Sequence, residues 1–293
     1  MGLKRHAPLV LDFDGSVGEL PGASVLALGD WQERIRFGCS LRTFAQLRRH
    51  LEALLPAQHG TVLMGSGDYH HLSWPLIERQ RARGPFQLVV LDNHPDNMRF
   101  PWGIHCGSWV RKAAMLPYVT HVHVLGITST DIGARHAWEN YLAPLKAGKL
   151  SYWCMDVDVG WAGRWGLADA FHRYDTADSL VEAFIAQLDR APQATYLSID
   201  KDAFDAATAR TNWDQGKLKL PHALAVIEAL RGRIIASDIT GEVSAYTYRT
   251  WWKRLLSGMD GQTAVSSDDL ASWQRQQHAL NLQLLRAIDE SSV

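Results

Sequence analysis

The chain has 293 residues, 46% of them hydrophobic and 21% charged, with a formal net charge of -1. That length can bury a sizeable core, and the balanced charge supplies no long-range pull toward nucleic acid or an anionic membrane. Cys39, Cys106 and Cys154 form no CxxC pair, and their odd number argues against a disulfide framework, so a cytoplasmic location is expected.

In chain order, short apolar runs alternate with longer amphipathic stretches. The opening MGLKRHAPLVLDFDG holds a very short apolar run interrupted by Asp12 and Asp14, too short for a signal peptide. A strand is expected over 9–13, a helix over 41–55, a strand over 61–65 and a helix over 71–83. Strands over 87–92, 121–127 and 150–155 come after these, separated by helical patterns over 108–116 and 133–147. A helix over 179–189, a strand over 194–200, a helix over 221–230 and a strand over 233–239 come next. The last segment, 268–288, carries Leu270, Trp273, Leu280, Leu284 and Ile288 at helical spacing, with Ser267 or Asp268 as its N-cap. No stretch approaches the roughly 18 apolar residues of a membrane span. Such alternation implies one domain, 1–293, built on a mostly parallel sheet with helices on both faces.

Functional groups of open α/β sheets gather at the carboxyl ends of strands. Four of the expected strands end in polar clusters. These are GSGDYHH with Asp68, His70 and His71, DNHPD with Asp92, His94 and Asp96, SIDKDAFD with Asp200, Asp202 and Asp205, and SDITGE with Asp238 and Glu242. Alternate residues leaving a strand point the same way, so Asp92, His94 and Asp96 converge, as do Asp200 and Asp202. By the same alternation Lys201 points away from them. Four carboxylates and two imidazoles in one partly buried site repel or crowd one another unless cations are present. The oxygen-rich, sulfur-free donor set favours Mn²⁺ over a structural zinc.

These motifs, in this order, resemble those of the ureohydrolases, the family of arginases and agmatinases. GSGDYHH is similar to the family's GGDHS, DNHPD to DAHxD, SIDKDAFD to SxDxDxxDP, and DITGE to D-I-x-E. The resemblance spans roughly residues 60 to 245 and implies a three-layer α/β/α fold with a parallel sheet of about eight strands. It implies two Mn²⁺ per chain, held by His70, Asp92, His94, Asp96, Asp200 and Asp202, with Asp96 also orienting the nucleophile. His70 is chosen over His71 because HHLS aligns with the family's HSLA. His105, in PWGIHCGSWV, would be the proton shuttle, and Glu242 would hold a guanidinium. Asp131 and Trp213 fall on segments that approach the family's substrate. The implied activity is hydrolysis of a guanidino or related C–N bond in a small molecule, by a homo-oligomer, trimer or hexamer.

Departures bear on the substrate. Met98 and Pro101 stand where arginases place the Asn and Ser that help bind the α-carboxylate, so L-arginine is not the expected substrate. Three other readings compete. VLDFDGSV is locally similar to the first motif of haloacid-dehalogenase-type phosphatases, with Asp12 as nucleophile and Asp14 as acid/base, but that family's later Ser/Thr, Lys and acidic pair do not appear in order. A one-zinc deacetylase-type amidohydrolase would need only a short Asp/His/Asp set. A catalytically divergent member would keep the metals without turnover.

Overall fold

A computed structural model of the chain describes residues 6–259 and 265–292. Eleven strands occur among them: β1 (Leu9–Asp12), β2 (Ser24–Ala27), β3 (Gly38–Cys39), β4 (Val62–Leu63), β5 (Phe86–Leu91), β6 (Ile104–His105), β7 (Val119–Ile127), β8 (Leu150–Met155), β9 (Phe171–Tyr174), β10 (Thr195–Asp200) and β11 (Ile234–Thr240). Nine form one sheet in the order β2-β1-β4-β11-β10-β5-β7-β8-β9. Every pairing in it is parallel. β3 and β6 form a separate antiparallel ribbon.

The central strands are buried along their whole length because both faces are covered. All residues of β5, β8 and β10 are buried. Alternation divides them between two cores. Leu88, Val90 and Tyr196 pack with the helix Leu41–Leu54 on one face. Val89, Leu91, Leu197 and Ile199 pack on the other face with the helices Ala177–Arg190, Leu220–Ala229 and Ser267–Ser291. Each large aliphatic side chain buried in this way contributes about 1.5–3 kcal/mol. The result is a three-layer α/β/α sandwich.

Each of the seven expected strands has a counterpart. Four were missed: β3 and β6, two residues each, in the ribbon, and β2 and β9 at the edges of the main sheet, where one face is wet and the apolar pattern dissolves; β2 is largely exposed and β9 reads FHRY. The helix expected over 133–147 shrinks to Ala143–Lys146 behind a 3-10 turn, Ala137–Glu139. The one expected over 71–83 becomes a short helix, Ser73–Glu78, between two 3-10 segments, Gly67–Leu72 and Arg79–Arg83. The long C-terminal helix is capped by Ser266, whose side chain accepts from Asp269 N, rather than by Ser267 or Asp268. The helix Trp251–Met259 was not anticipated. Cys39, Cys106 and Cys154 are buried and form no disulfide. Among the described residues no helix is long and apolar enough to cross a membrane.

Candidate metal centre

Sheet register builds the centre. Leu91 of β5 pairs with Ile199 of β10, so the next residues, Asp92 and Asp200, emerge side by side at the carboxyl edge. Beyond these two residues the strand alternation stops. Asp92 Oδ1 accepts a hydrogen bond from His94 N at 2.7 Å, and Asp200 Oδ1 accepts from Asp202 N at 3.1 Å. Each motif is therefore a carboxylate-capped turn. Asp96 then takes a left-handed backbone, φ 45°, uncommon for a residue with a β-carbon. Gly241 permits the close approach of the neighbouring strand end. It has φ 89°, and a β-carbon there would lie 2.3 Å from Asp200 Oδ1.

Two groups of donor atoms result, each lying within 4.8 Å: His70, Asp92 and Asp200, and Asp92, His94 and Asp202. Asp92 belongs to both. His70 Nδ1 lies 3.2 Å from Asp92 Oδ2, 2.9 Å from Asp96 Oδ2 and 3.3 Å from Asp200 Oδ2. His94 Nδ1 lies 3.0 Å from Asp202 Oδ2 and 3.6 Å from Asp92 Oδ1. All six residues named from the motifs thus meet at one place, and His70 rather than His71 is the histidine that reaches it. His71 is fully buried beside Phe44, with neither ring nitrogen hydrogen-bonded.

The environment suits cations. Burial and the charge of Asp92 push Asp96 up to about 7 and Asp202 up to about 6; burial and Asp202 raise Asp200 as well. Asp92 is also buried, but the imidazoles of His70 and His94 beside it outweigh that and hold it low. Both histidines, despite burial, are raised by the carboxylates around them. Asp92 Oδ2 is buried without a hydrogen-bond donor. Divalent ions would relieve the repulsion and satisfy that oxygen, and the N/O donor set suits Mn²⁺.

Further residues fix the ligands, and sequence reading had not singled most of them out. His70 Nε2 meets Ser198 Oγ at 3.0 Å, and that hydroxyl donates to Asp238 Oδ1 at 2.6 Å, which leaves Nδ1 for the cluster. Trp109 Nε1 donates to Asp96 Oδ2 at 2.6 Å. His94 Nε2 meets Asp214 Oδ1 at 2.7 Å, while Asn93 Nδ2 holds Asp214 Oδ2 at 3.0 Å. Such outer partners set a ligand histidine's tautomer and orientation. Asp12 and Asp14 take turn-forming roles. Asp12 Oδ1 accepts from Gly15 N at 2.8 Å, and Asp14 accepts from Ser16 and from the buried Arg36, whose Nε also lies 2.7 Å from Asp68 Oδ2. Arg36 thereby ties the end of β1 to the turn that carries His70.

Glu242 and Asp131 stand differently from expectation. Glu242 does not keep both carboxylate oxygens free. Its Oε1 is paired with the fully buried ammonium of Lys201 and accepts from Asn281 Nδ2 at 2.7 Å. Lys201 does turn away from the cluster, toward Glu242 and Asn281 Oδ1, the latter 3.0 Å away. Asp131 sits in the turn Thr130–Ile132, bonded through its backbone to Ser129 and Asn140 and to none of the cluster residues. Asp205 shapes the loop after β10 through Thr208 N at 2.9 Å. Trp213 does reach the cluster, its ring 5.9 Å from that of His94.

His105 packs against Phe37 and Phe100, and burial pushes its pKa down to about 4. Its Nδ1 accepts from Gly107 N at 3.2 Å, so the neutral ring carries its proton on Nε2. The unfolded chain takes up a proton at His105 as pH falls through about 6.5, whereas the folded chain does so only near 4. His105 therefore costs nothing above pH 6.5 and destabilises increasingly below it, by up to about 3 kcal/mol near pH 4. Urea unfolding of wild type and His105→Asn across that window should show the variant losing less stability with acid; parallel curves would refute the assignment.

A cavity of about 770 Å³ lies at the opposite end of the sheet among Arg48, Arg79 and Arg83, away from these groups. No family model matches the chain. An uncharacterized protein of Thermotoga maritima is 27% identical over 234 residues, covering 80% of this chain and 78% of that protein. Proclavaminate amidino hydrolase from Streptomyces clavuligerus has a similar structure, with a TM-score of 0.57 and 14% identity over 98% of this chain and 93% of that one. Formimidoylglutamase from Bacillus subtilis gives a TM-score of 0.51 at 15% identity over 87% and 86% of the two chains. Arginase from Bacillus caldovelox gives 0.50 at 13% over 89% and 100%. With its parallel nine-stranded sheet between two helical layers, the chain has the fold of the ureohydrolases, the arginase-like α/β/α fold.

Proposed function

We propose that the chain is a binuclear manganese-dependent hydrolase of the ureohydrolase kind, cleaving a non-peptide C–N bond of a small molecule other than L-arginine. The observation that carries this reading is the pair of donor groups sharing Asp92 at the carboxyl edge of the sheet. The likeness to an amidino hydrolase and an arginase supports the reaction class.

His70, Asp92, Asp96 and Asp200 would hold one ion, and Asp92, His94 and Asp202 the other. When bound, a pair of divalent ions polarises the scissile group and makes a water-derived nucleophile available near neutral pH. The chain's own residues do the rest. Trp109 fixes the Asp96 carboxylate, which accepts the proton of the attacking water. That proton then passes from Asp96 to the departing amine, and neutral His105, with its proton on Nε2 and its ring packed between Phe37 and Phe100, would only donate a hydrogen bond to the leaving group. Met98 hydrogen-bonds only through its backbone, to Gly107 O, so its side chain offers nothing to an α-carboxylate.

The test pairs elemental analysis with turnover. Protein loaded with Mn²⁺ should carry two ions per chain and release amine from some members of a panel of guanidino, amidino, ureido and formamido compounds, with L-arginine inert. One ion per chain would favour a deacetylase-type centre. Two ions with no turnover on any C–N compound would leave a binding protein.

A further inference from the structure

Resting on the proposed two-metal centre, we infer that the group it attacks is an uncharged carbonyl attached to nitrogen, as in a formamide, amide or ureide, and not a guanidinium. Two independent features of the site point to this.

The first is the loss of an anionic cradle. A guanidinium is permanently charged, presents only donors, and is held best by a carboxylate that offers both oxygens. Glu242 is the acid at the strand end suited to that task, but the chain neutralises it internally. Lys201, placed between the two metal-binding aspartates of β10's turn, turns its ammonium onto Glu242 Oε1, and Asn281 adds a second donor to the same oxygen. Gln277, one turn before Asn281, locks the segment further. Its Oε1 accepts from Val243 N at 2.7 Å and its Nε2 donates to Gly241 O at 2.8 Å. Asp214, the acid on the outer side, has its two oxygens on His94 and Asn93. Asp68 is paired with Arg36 and accepts from Tyr248. With Glu242 Oε1 taken twice and both oxygens of Asp214 engaged, no carboxylate in this set offers both oxygens to a cationic substrate.

The second feature is a donor without an acceptor. Trp213 Nε1 is buried and makes no hydrogen bond. A β-carbon at Gly67 would lie 3.3 Å from that nitrogen and 3.2 Å from Asp200 Oδ2, so the indole N–H and the cluster-facing oxygen of Asp200 flank the same bare glycine. Phe37 stacks on Trp213 with ring planes 9° apart, and His94 meets the indole edge-on at 69°, which together fix its tilt. A guanidinium carries no acceptor for this N–H. A carbonyl oxygen does, and its demand for a donor grows as negative charge develops on it during attack. Water adds to the carbonyl carbon, the C–N bond breaks, the nitrogen leaves with a proton as amine or ammonia, and the carbon keeps two oxygens as a carboxylate or carbamate.

N-hydroxyurea and N-hydroxyguanidine share one metal-seeking arm and differ in C=O against C=NH₂⁺. Their equilibrium binding to manganese-loaded wild type and Trp213→Phe, read by calorimetry with metal counted in every sample, tests the inference. Wild type should bind N-hydroxyurea at least about tenfold more tightly than N-hydroxyguanidine, and Trp213→Phe should lose about tenfold for the urea alone. Wild type should also hydrolyse ureido or formamido compounds in preference to guanidino compounds with the same amine. Tighter N-hydroxyguanidine binding, equal weakening of both probes in the variant, or turnover confined to guanidino compounds would overturn the inference while leaving the two-metal reading intact. Fewer than two ions in wild type would overturn both. The wild-type comparison decides even if the variant does not fold.

Discussion

With one ion in each donor group, as proposed, Asp92→Ala should cost both ions, not one. Asp92 is the only residue common to the two donor groups, and its Oδ1 also caps the turn that aims His94. Its removal takes a ligand from each group and releases the turn. Elemental analysis after loading with excess Mn²⁺ and desalting should fall from two ions per chain to well under one. Turnover on any substrate of the wild type should drop by about a thousandfold or more, since metal polarisation contributes several kcal/mol at about 1.4 kcal/mol per decade. An Asp202→Ala variant provides the contrast, because Asp202 serves one group only. It should retain close to one ion. If Asp92→Ala also retained one firmly held ion, the shared-carboxylate geometry would be wrong.

Lys201→Met should destabilise the fold by about 3–5 kcal/mol, because it strands a buried carboxylate. Lys201 is 0% exposed and Glu242 2%, so water cannot replace the lost partner. Lys201→Met/Glu242→Gln should recover much of the loss, since the uncompensated charge is gone and Asn281 can still donate to the amide oxygen. Urea unfolding of the metal-free single and double variants measures both. A single variant within about 1 kcal/mol of wild type would mean that Lys201 and Glu242 are not held together in solution.

Much of this architecture was legible because it arises from local pattern. β5, β8 and β10 are each dominated by apolar residues along their length, and such runs belong to strands covered on both faces. Five of the six proposed donor residues were named from their spacing and His70 from the resemblance of HHLS to HSLA, although the reason for their convergence was misread. Convergence comes from the Asp92 and Asp200 turns, not from strand alternation. The long-range partners were not legible. Trp109, Asp214 and Asn281 lie 13, 120 and 39 residues from Asp96, His94 and Glu242, and single sequences carry no signal for such pairs. Glu242 illustrates the cost. Its motif resembled a substrate-binding acid, and only the folded chain reveals that Lys201, expected merely to point away, points at it.

The two donor groups differ in depth. His70, Asp92 and Asp200 are all buried, whereas His94 is partly exposed and leans on Asp214, whose side chain is 60% exposed. An ion held by the first group is walled in by the sheet edge and the turn at Gly67, while an ion held by the second has solvent on its far side. Their lifetimes on the protein should therefore be unequal. With two ions bound, as proposed, the inner one would behave as a permanent fixture and the outer one would trade with the surrounding pool, so the metal supply would set how much of the protein is complete at any moment.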